Sequence, residues 1–173
     1  MEFFKKNEED NESHIIDSTI IRAHQDSAGA RRVLGEQAIG KSRGGKSTKI
    51  HWLVDGLGLP IDFKLTGGQV DDSTMAIPLL TGKHSKYVIA DKAYDTNANR
   101  VMLENSRREA VIPNSKRRAE KFDYDCDIYK ERTLVECFIG WTKKFRRIAT
   151  RYEKLSSMYS GLISITCILA WLR

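Results

Sequence analysis

Residues 129–151 read YKERTLVECFIGWTKKFRRIATR, and the periodicity of that stretch decides how the rest of the chain is understood. Wound at 100° per residue, it predicts one amphipathic helix from Tyr129 to Arg151. Tyr129, Arg132, Glu136 and Lys143 fall within an arc of about 60° on the wheel. Leu134, Cys137, Phe138, Trp141, Phe145 and Ile148 gather opposite, on the face a globular helix buries. One carboxylate thus stands among an aromatic ring and two cations. A solvated face with an Arg132/Glu136 pair at i, i+4 also accounts for the stripe. The segments around it separate the two readings.

Upstream, HIIDSTII over His14–Ile21 is rich in β-branched residues and predicts a strand with Asp17 at its middle. An acid inside an apolar strand is costly unless a metal or a cation compensates it, and Arg22 or His24 are candidate cations. Arg22–Lys46 is a long loop bearing Gly, Arg and Ser, with room for a short helix. Thr48–Asp55 and Leu59–Thr66 alternate as two strands of a hairpin, with Asp55-Gly56 and Gly58 in the turn. Asp72–Leu80 predicts a short helix capped by Asp72 or Ser73. Tyr87–Ala90 is a compact apolar strand ending at Asp91. Thr96–Arg107 predicts a helix capped by Thr96, and Ala110–Ile112 a last short strand before Pro113. Asn114–Phe122 is a basic loop, and Ser156–Leu172 a final helix. Three antiparallel strands, helix, strand, helix, strand and two helices are the order of an α/β, RNase H-like fold, a mixed five-stranded sheet flanked by helices. In that order the first and fourth strands are neighbours. Asp17 and Asp91 then come together with Glu136 crossing nearby.

Composition bounds the partner. The chain has 173 residues, 29 Lys+Arg against 23 Asp+Glu, and a formal charge of +6, which favours a polyanion. Basic residues cluster at Arg31-Arg32, Lys41–Lys49, Lys116–Arg118 and Lys143–Arg151. The three cysteines, Cys126, Cys137 and Cys167, lack paired metal spacing and suit a reducing compartment, with Cys137 and Cys167 as core thiols. The polar, acidic start is no signal peptide, and the run Leu162–Leu172 is too short to span a bilayer. The expectation is a cytoplasmic protein with no membrane partner. Residues 1–13 read as a leader, and 14–173 as one domain.

Three converging carboxylates make a hard oxygen site suited to Mg²⁺ (or Mn²⁺). Two such ions roughly 3.5–4 Å apart activate a water or a 3′-hydroxyl and stabilise the leaving oxygen of a phosphodiester. Arg132 and Lys143 beside Glu136 would hold phosphates, and Tyr129 would stack on a base or orient a phosphate. Each has a plainer reading. Asp17 can be a paired buried acid, Asp91 a turn cap, and Tyr129 a half-buried core ring. A competing motif is GKSRGGKS at Gly40–Ser47, which matches the phosphate-loop pattern in full. That loop needs a strand before it and a helix after it. Here ARRVLGEQA precedes and the strand-like TKIHWLVD follows, so no nucleotide cofactor is expected. Arg43 and Lys46 suit contacts to DNA backbone instead. The four histidines show no metal-ligand spacing; His24, a few residues beyond Asp17, could approach the acidic site.

IIDSTIIRAH, GKSRGGKSTKIHWLVDGLGLPIDFKLTGGQVDD, VIADKAYD and YKERTLVECFIGWTKKFRRIATRYEKL together resemble the DDE transposases of bacterial insertion sequences, the type-five group most closely. The resemblance covers His14 to Arg173, and its most specific element is Y-x2-R-x3-E-x6-K, met by Tyr129, Arg132, Glu136 and Lys143. It implies that Asp17, Asp91 and Glu136 are a catalytic triad binding divalent metal. It implies metal-dependent cleavage at transposon ends and 3′-hydroxyl attack on double-stranded target DNA, in a homodimeric synaptic complex. Arg132 and Lys143 would bind terminal phosphates, with Lys144, Arg146, Arg147 and Arg151 extending the strip. Asp95, in the same ADKAYD box, is structural on this reading. Family members carry a larger segment ahead of the first aspartate, which implies a truncated copy or a frameshift-fused frame, and with truncation a remnant that only binds DNA. Gly140 also departs from the family, at a cost on the order of 1 kcal/mol within a helix.

Overall fold

A central strand of β-branched and aromatic residues, β3 (Gly45–Asp55), is buried on both faces from Ser47 onward and carries the sheet. The computed structural model describes residues 12–29 and 37–173. Residues 1–11 of the expected leader, the Arg31-Arg32 pair and most of ARRVLGEQA lie outside the described residues. β1 (Ser13–Ala23) runs antiparallel to β3, with Asp17 opposite Trp52. β4 (Pro60–Gly67) pairs with the other edge of β3, completing the expected hairpin. On the far side of β1, β5 (Tyr87–Ile89) and then β6 (Glu109–Val111) add in parallel.

The five expected strands are thus all present, in the order β4-β3-β1-β5-β6. Two short strands raise the sheet to seven. β2 (Gly40–Ser42) pairs with the start of β3, and β7 (Thr150–Arg151) pairs with the end of β1. β2 settles the phosphate-loop question. Gly40–Ser47 is a β-hairpin turning at Arg43-Gly44, with Gly45 at φ 96°, and no helix follows it.

Side chains sort by strand parity onto two cores. One face holds Ile15, Ile21, Ile50, Trp52 and Val54 against Val135, Phe138 and Ile139 of α4 (Thr133–Thr142) and Tyr159 and Ile163 of α6 (Ser156–Trp171). Trp52 meets Phe138 edge-on at 4.9 Å. The other face packs Ile16, Leu53 and Val88 against α1 (Ala76–Leu80) and α2 (Asn97–Asn105). Thr96 caps α2 as its sequence predicts, accepting from the Asn99 N–H at 3.2 Å. The Asp72–Leu80 helix begins as a 3₁₀ turn over Asp72–Met75, and its cap position, Asp71, uses no side chain.

The organising segment differs most from expectation. It is α3 (Cys126–Tyr129), a 3₁₀ turn over Lys130–Arg132, α4, α5 (Arg146–Ala149) and β7, not one helix. α4 stops because Phe145 turns extended (φ −80°, ψ 110°), seating its ring on Trp141 at 5.1 Å. The chain then bends to give Thr150–Arg151 to the edge of β1. The buried stripe of α4 runs through Val135, Phe138, Ile139 and Thr142, so Cys137 is exposed rather than a core thiol. Cys167 is half-buried, and burial pushes its thiol up to about 12. Among the described residues no helix is long and apolar enough to cross a membrane.

Candidate active site

Asp17 lies on β1 with its side chain toward the face that α4 covers, the parity it shares with Ile15 and Ile21. β5 runs parallel to β1 with Ile15 opposite Ile89. Two residues further along each chain are Asp17 and Asp91, so both acids emerge at the same level of adjacent strands. Asp91 leaves the strand as the cap of a 3₁₀ turn over Lys92–Tyr94 and accepts the Ala93 N–H at 2.8 Å. Asp91 is therefore the turn cap of the plainer reading, and only its Oδ1 is used in that role.

Glu136 stands on the exposed side of α4, one turn beyond Arg132. Arg132 joins the two elements. Its Nη1 donates to Asp17 Oδ2 at 3.0 Å, and its Nη2 donates to Glu136 Oε1. The other Asp17 oxygen accepts the Ser18 N–H at 2.7 Å. The cation beside Asp17 is thus neither Arg22 nor His24. Arg22 is an odd number of residues away and points to the opposite face, and His24 lies past the end of β1, stacked on Tyr152 at 4.7 Å. Burial raises the pKa of Asp17, and the Asp91 and Glu136 charges add to this, while the Ser18 N–H and Arg132 act against it. Burial alone would lower Arg132, but Asp17, Tyr129, Glu136 and Asp91 together hold its pKa above the usual value. The Tyr129 ring lies 6.0 Å from the guanidinium and meets Tyr124 edge-on.

In this arrangement no three carboxylate, imidazole or thiol groups among the described residues stand close enough to ligate one ion. The chemistry of the Asp17, Asp91 and Glu136 donors, though not their present spacing, suits a divalent cation. All are hard carboxylate oxygens, and a guanidinium already occupies a cation's place between two of them.

The basic residues divide. Lys143 and Lys144 are exposed just past the end of α4, about 10 Å along the axis from Glu136. Arg146 and Arg147 are exposed on α5, and Arg147 pairs with Glu153. Arg43 and Lys46 are exposed in the β2–β3 turn, about 20 Å from Asp17 along the strand. Arg151 does not extend the strip. It is fully buried, donating to Thr48 Oγ1 at 2.6 Å and to the carbonyls of Ala38, Glu153 and Lys154. Asp95 is structural as expected, its carboxylate taken by Arg100, Arg118 and the Ser115 N–H.

Sequence reading missed one group behind the site. Lys49, His51, Asp72 and Tyr94 lie under the other sheet face, with Lys49 paired to Asp72 at 2.7 Å and His51 Nε2 at 2.8 Å from Thr66 Oγ1. Burial and the charges of Asp72, Asp17 and Asp91 push the Tyr94 hydroxyl well above its ordinary pKa. The polar positions in the alternation of β3 were the available signal, because that strand has no solvent face for them.

The strand order, with β1 and β5 parallel neighbours and α4 covering one face, defines an RNase H-like α/β domain. The chain belongs to the transposase DDE domain family, whose model matches residues 12–171. It is 39% identical over 129 residues to a Brucella ovis protein named as a transposase for insertion sequence element IS6501, covering 73% of this chain and 99% of that one. It is 28% identical over 137 residues to one named for element IS402 of Burkholderia cepacia, covering 72% of this chain and 63% of that protein. Two solved Mos1 transposase structures, a paired-end complex with the left transposon end and a strand transfer complex, align over 98% of this chain. The chain spans 58% and 57% of theirs, at TM-score 0.41 and 14% identity, a likeness that carries no weight here. The chain is a DDE-type transposase by family.

Proposed function

We propose that Asp17, Asp91 and Glu136 form one catalytic centre at which this transposase cuts DNA at transposon ends and joins the freed 3′-hydroxyl to target DNA. The observation that carries it is the β1–β5 register, which sets Asp17 and Asp91 side by side beneath the helix bearing Glu136. The three carboxylates would hold Mg²⁺ or Mn²⁺, two ions in the working complex. Such ions supply Lewis acidity to the attacking and leaving oxygens when bound. Asp17 would offer its oxygens from the middle of β1, and Asp91 from the turn that follows β5. Arg132 and Lys143 take the phosphates flanking the scissile bond, and Tyr129 orients the nearest nucleotide. Lys144, Arg146 and Arg147 continue along the duplex, and Arg43 and Lys46 touch backbone further out. The protein acts as a homodimer on two ends, in the cytoplasm and on the nucleoid.

Asp17→Asn, Asp91→Asn and Glu136→Gln test this by strand cleavage and gel-shift together. Each variant is expected to lose cleavage while binding duplex DNA as the parent does. Cleavage persisting in any of them removes that residue from the centre.

A further inference from the structure

The strongest unabsorbed observation is the position of Arg132. Both Asp17 oxygens are occupied, one by the Ser18 N–H and the other by the Arg132 guanidinium, which also holds Glu136. A cation that ligates Asp17 through Oδ2 and Glu136 through Oε1, the oxygens that face each other across the gap, must therefore take the place that Arg132 now holds. Arg132 cannot simply drift away with a flexible backbone. It ends a 3₁₀ turn fused to α4, and its side chain is only 23% exposed. Its guanidinium needs another acceptor before it leaves, because an unpaired charge in a partly buried site is costly. The nucleic-acid phosphate is the chemically matched replacement, since guanidinium binds carboxylate and phosphate with the same planar fork.

We propose that Arg132 is a positioning residue that acts as the resident cation of the DNA-free site, bridging Asp17 and Glu136 and yielding them to divalent metal when a DNA phosphate accepts its guanidinium. The proposal rests on the acidic-site reading above and adds an exchange to it. Arg132 in place holds β1 and α4 at their spacing and neutralises two acids that repel each other. Arg132 on the phosphate frees an oxygen of each acid, so metal and DNA favour each other's binding. The transposase is thereby kept short of a loaded centre until a duplex is seated.

The test is Mn²⁺ binding, followed by electron paramagnetic resonance, to the protein alone and with a short non-cleavable duplex. Parent, Arg132→Ala, Arg132→Gln and Asp17→Asn are compared, with folding checked by circular dichroism. Removing a positive charge beside the ion is expected to tighten DNA-free Mn²⁺ binding about tenfold in Arg132→Ala and Arg132→Gln. The duplex should tighten Mn²⁺ binding to the parent by a similar factor and leave both Arg132 variants nearly unchanged. In EDTA both should melt below the parent and regain the difference on adding Mn²⁺. Arg132→Gln, which removes the charge but keeps a polar side chain with one NH2 donor group, stands in if Arg132→Ala does not fold. Equal or weaker DNA-free binding in folded Arg132 variants, with Asp17→Asn still binding-defective, overturns the exchange alone. Unaltered Mn²⁺ binding in Asp17→Asn overturns the acidic-site reading and the exchange with it.

Discussion

At the scale of single residues, the site spends stability on chemistry. Burial raises the pKa of Asp17, because removal from water works against its charged form. Asp17→Asn should cut strand cleavage on the order of a thousandfold, as loss of a catalytic group does, while circular dichroism still shows a folded protein. Cleavage at the parent's rate in folded Asp17→Asn would make Asp17 a structural partner of Arg132 only. Burial has the opposite consequence at His14 and His51, whose pKa falls from 6.5 to about 4. Between those values the unfolded chain binds protons that the fold refuses, so stability held above pH 6.5 is lost on acidification toward pH 4. At about 1.4 kcal/mol per pKa unit, the loss is on the order of 3 kcal/mol per histidine at pH 4. His51→Gln should flatten the fall in melting temperature across that window; an unchanged slope would contradict it. The placement of Asp17 in a strand and Asp91 just past one was legible in the sequence, because an acid in an apolar strand and an acid at a strand end are conspicuous. The Arg132 bridge to Asp17 was not, because it joins residues 115 apart in sequence.

At the scale of elements, sequence periodicity located the strands and erred on the long helix. Alternation over Thr48–Thr66 marked the hairpin, and apolar YVIA marked β5, because each local pattern agrees with its place in the sheet. Nothing local announced that Phe145 would turn back onto Trp141 or that Arg151 would be buried, since tertiary contacts impose both. The same logic separates two glycines. Gly140 sits in the last turn of α4, where an added Cβ would meet open space, so Gly140→Ala should stabilise the protein by about 0.5–1 kcal/mol in urea denaturation. Gly58, at φ 78° in the β3–β4 turn, would bring a Cβ within 3.3 Å of Leu134 Cβ. Gly58→Ala should cost about 1–3 kcal/mol, the range for strained backbone, and disturb the seat of α4. Both changes having the same sign would contradict this account of α4.

At the scale of the whole molecule, the sheet sets the proposed acidic centre at the middle of β1 and a basic turn beyond the end of β1. A duplex that reaches both must lie along the strand direction, and its binding should weaken steeply with salt. Lys143→Ala and Arg43→Ala should each lower the slope of log K against log salt by about one, with no change in sequence preference. Neither shift would mean that the duplex runs elsewhere. The central claim, that three carboxylates from β1, β5 and α4 work as one metal-dependent centre, is tested most directly on a supercoiled plasmid carrying candidate element ends. The parent and Glu136→Gln are compared in Mg²⁺, Mn²⁺ and Ca²⁺. Nicking in Mg²⁺ or Mn²⁺ that disappears in Ca²⁺ and in Glu136→Gln is the predicted result. Nicking that survives in Glu136→Gln would contradict it.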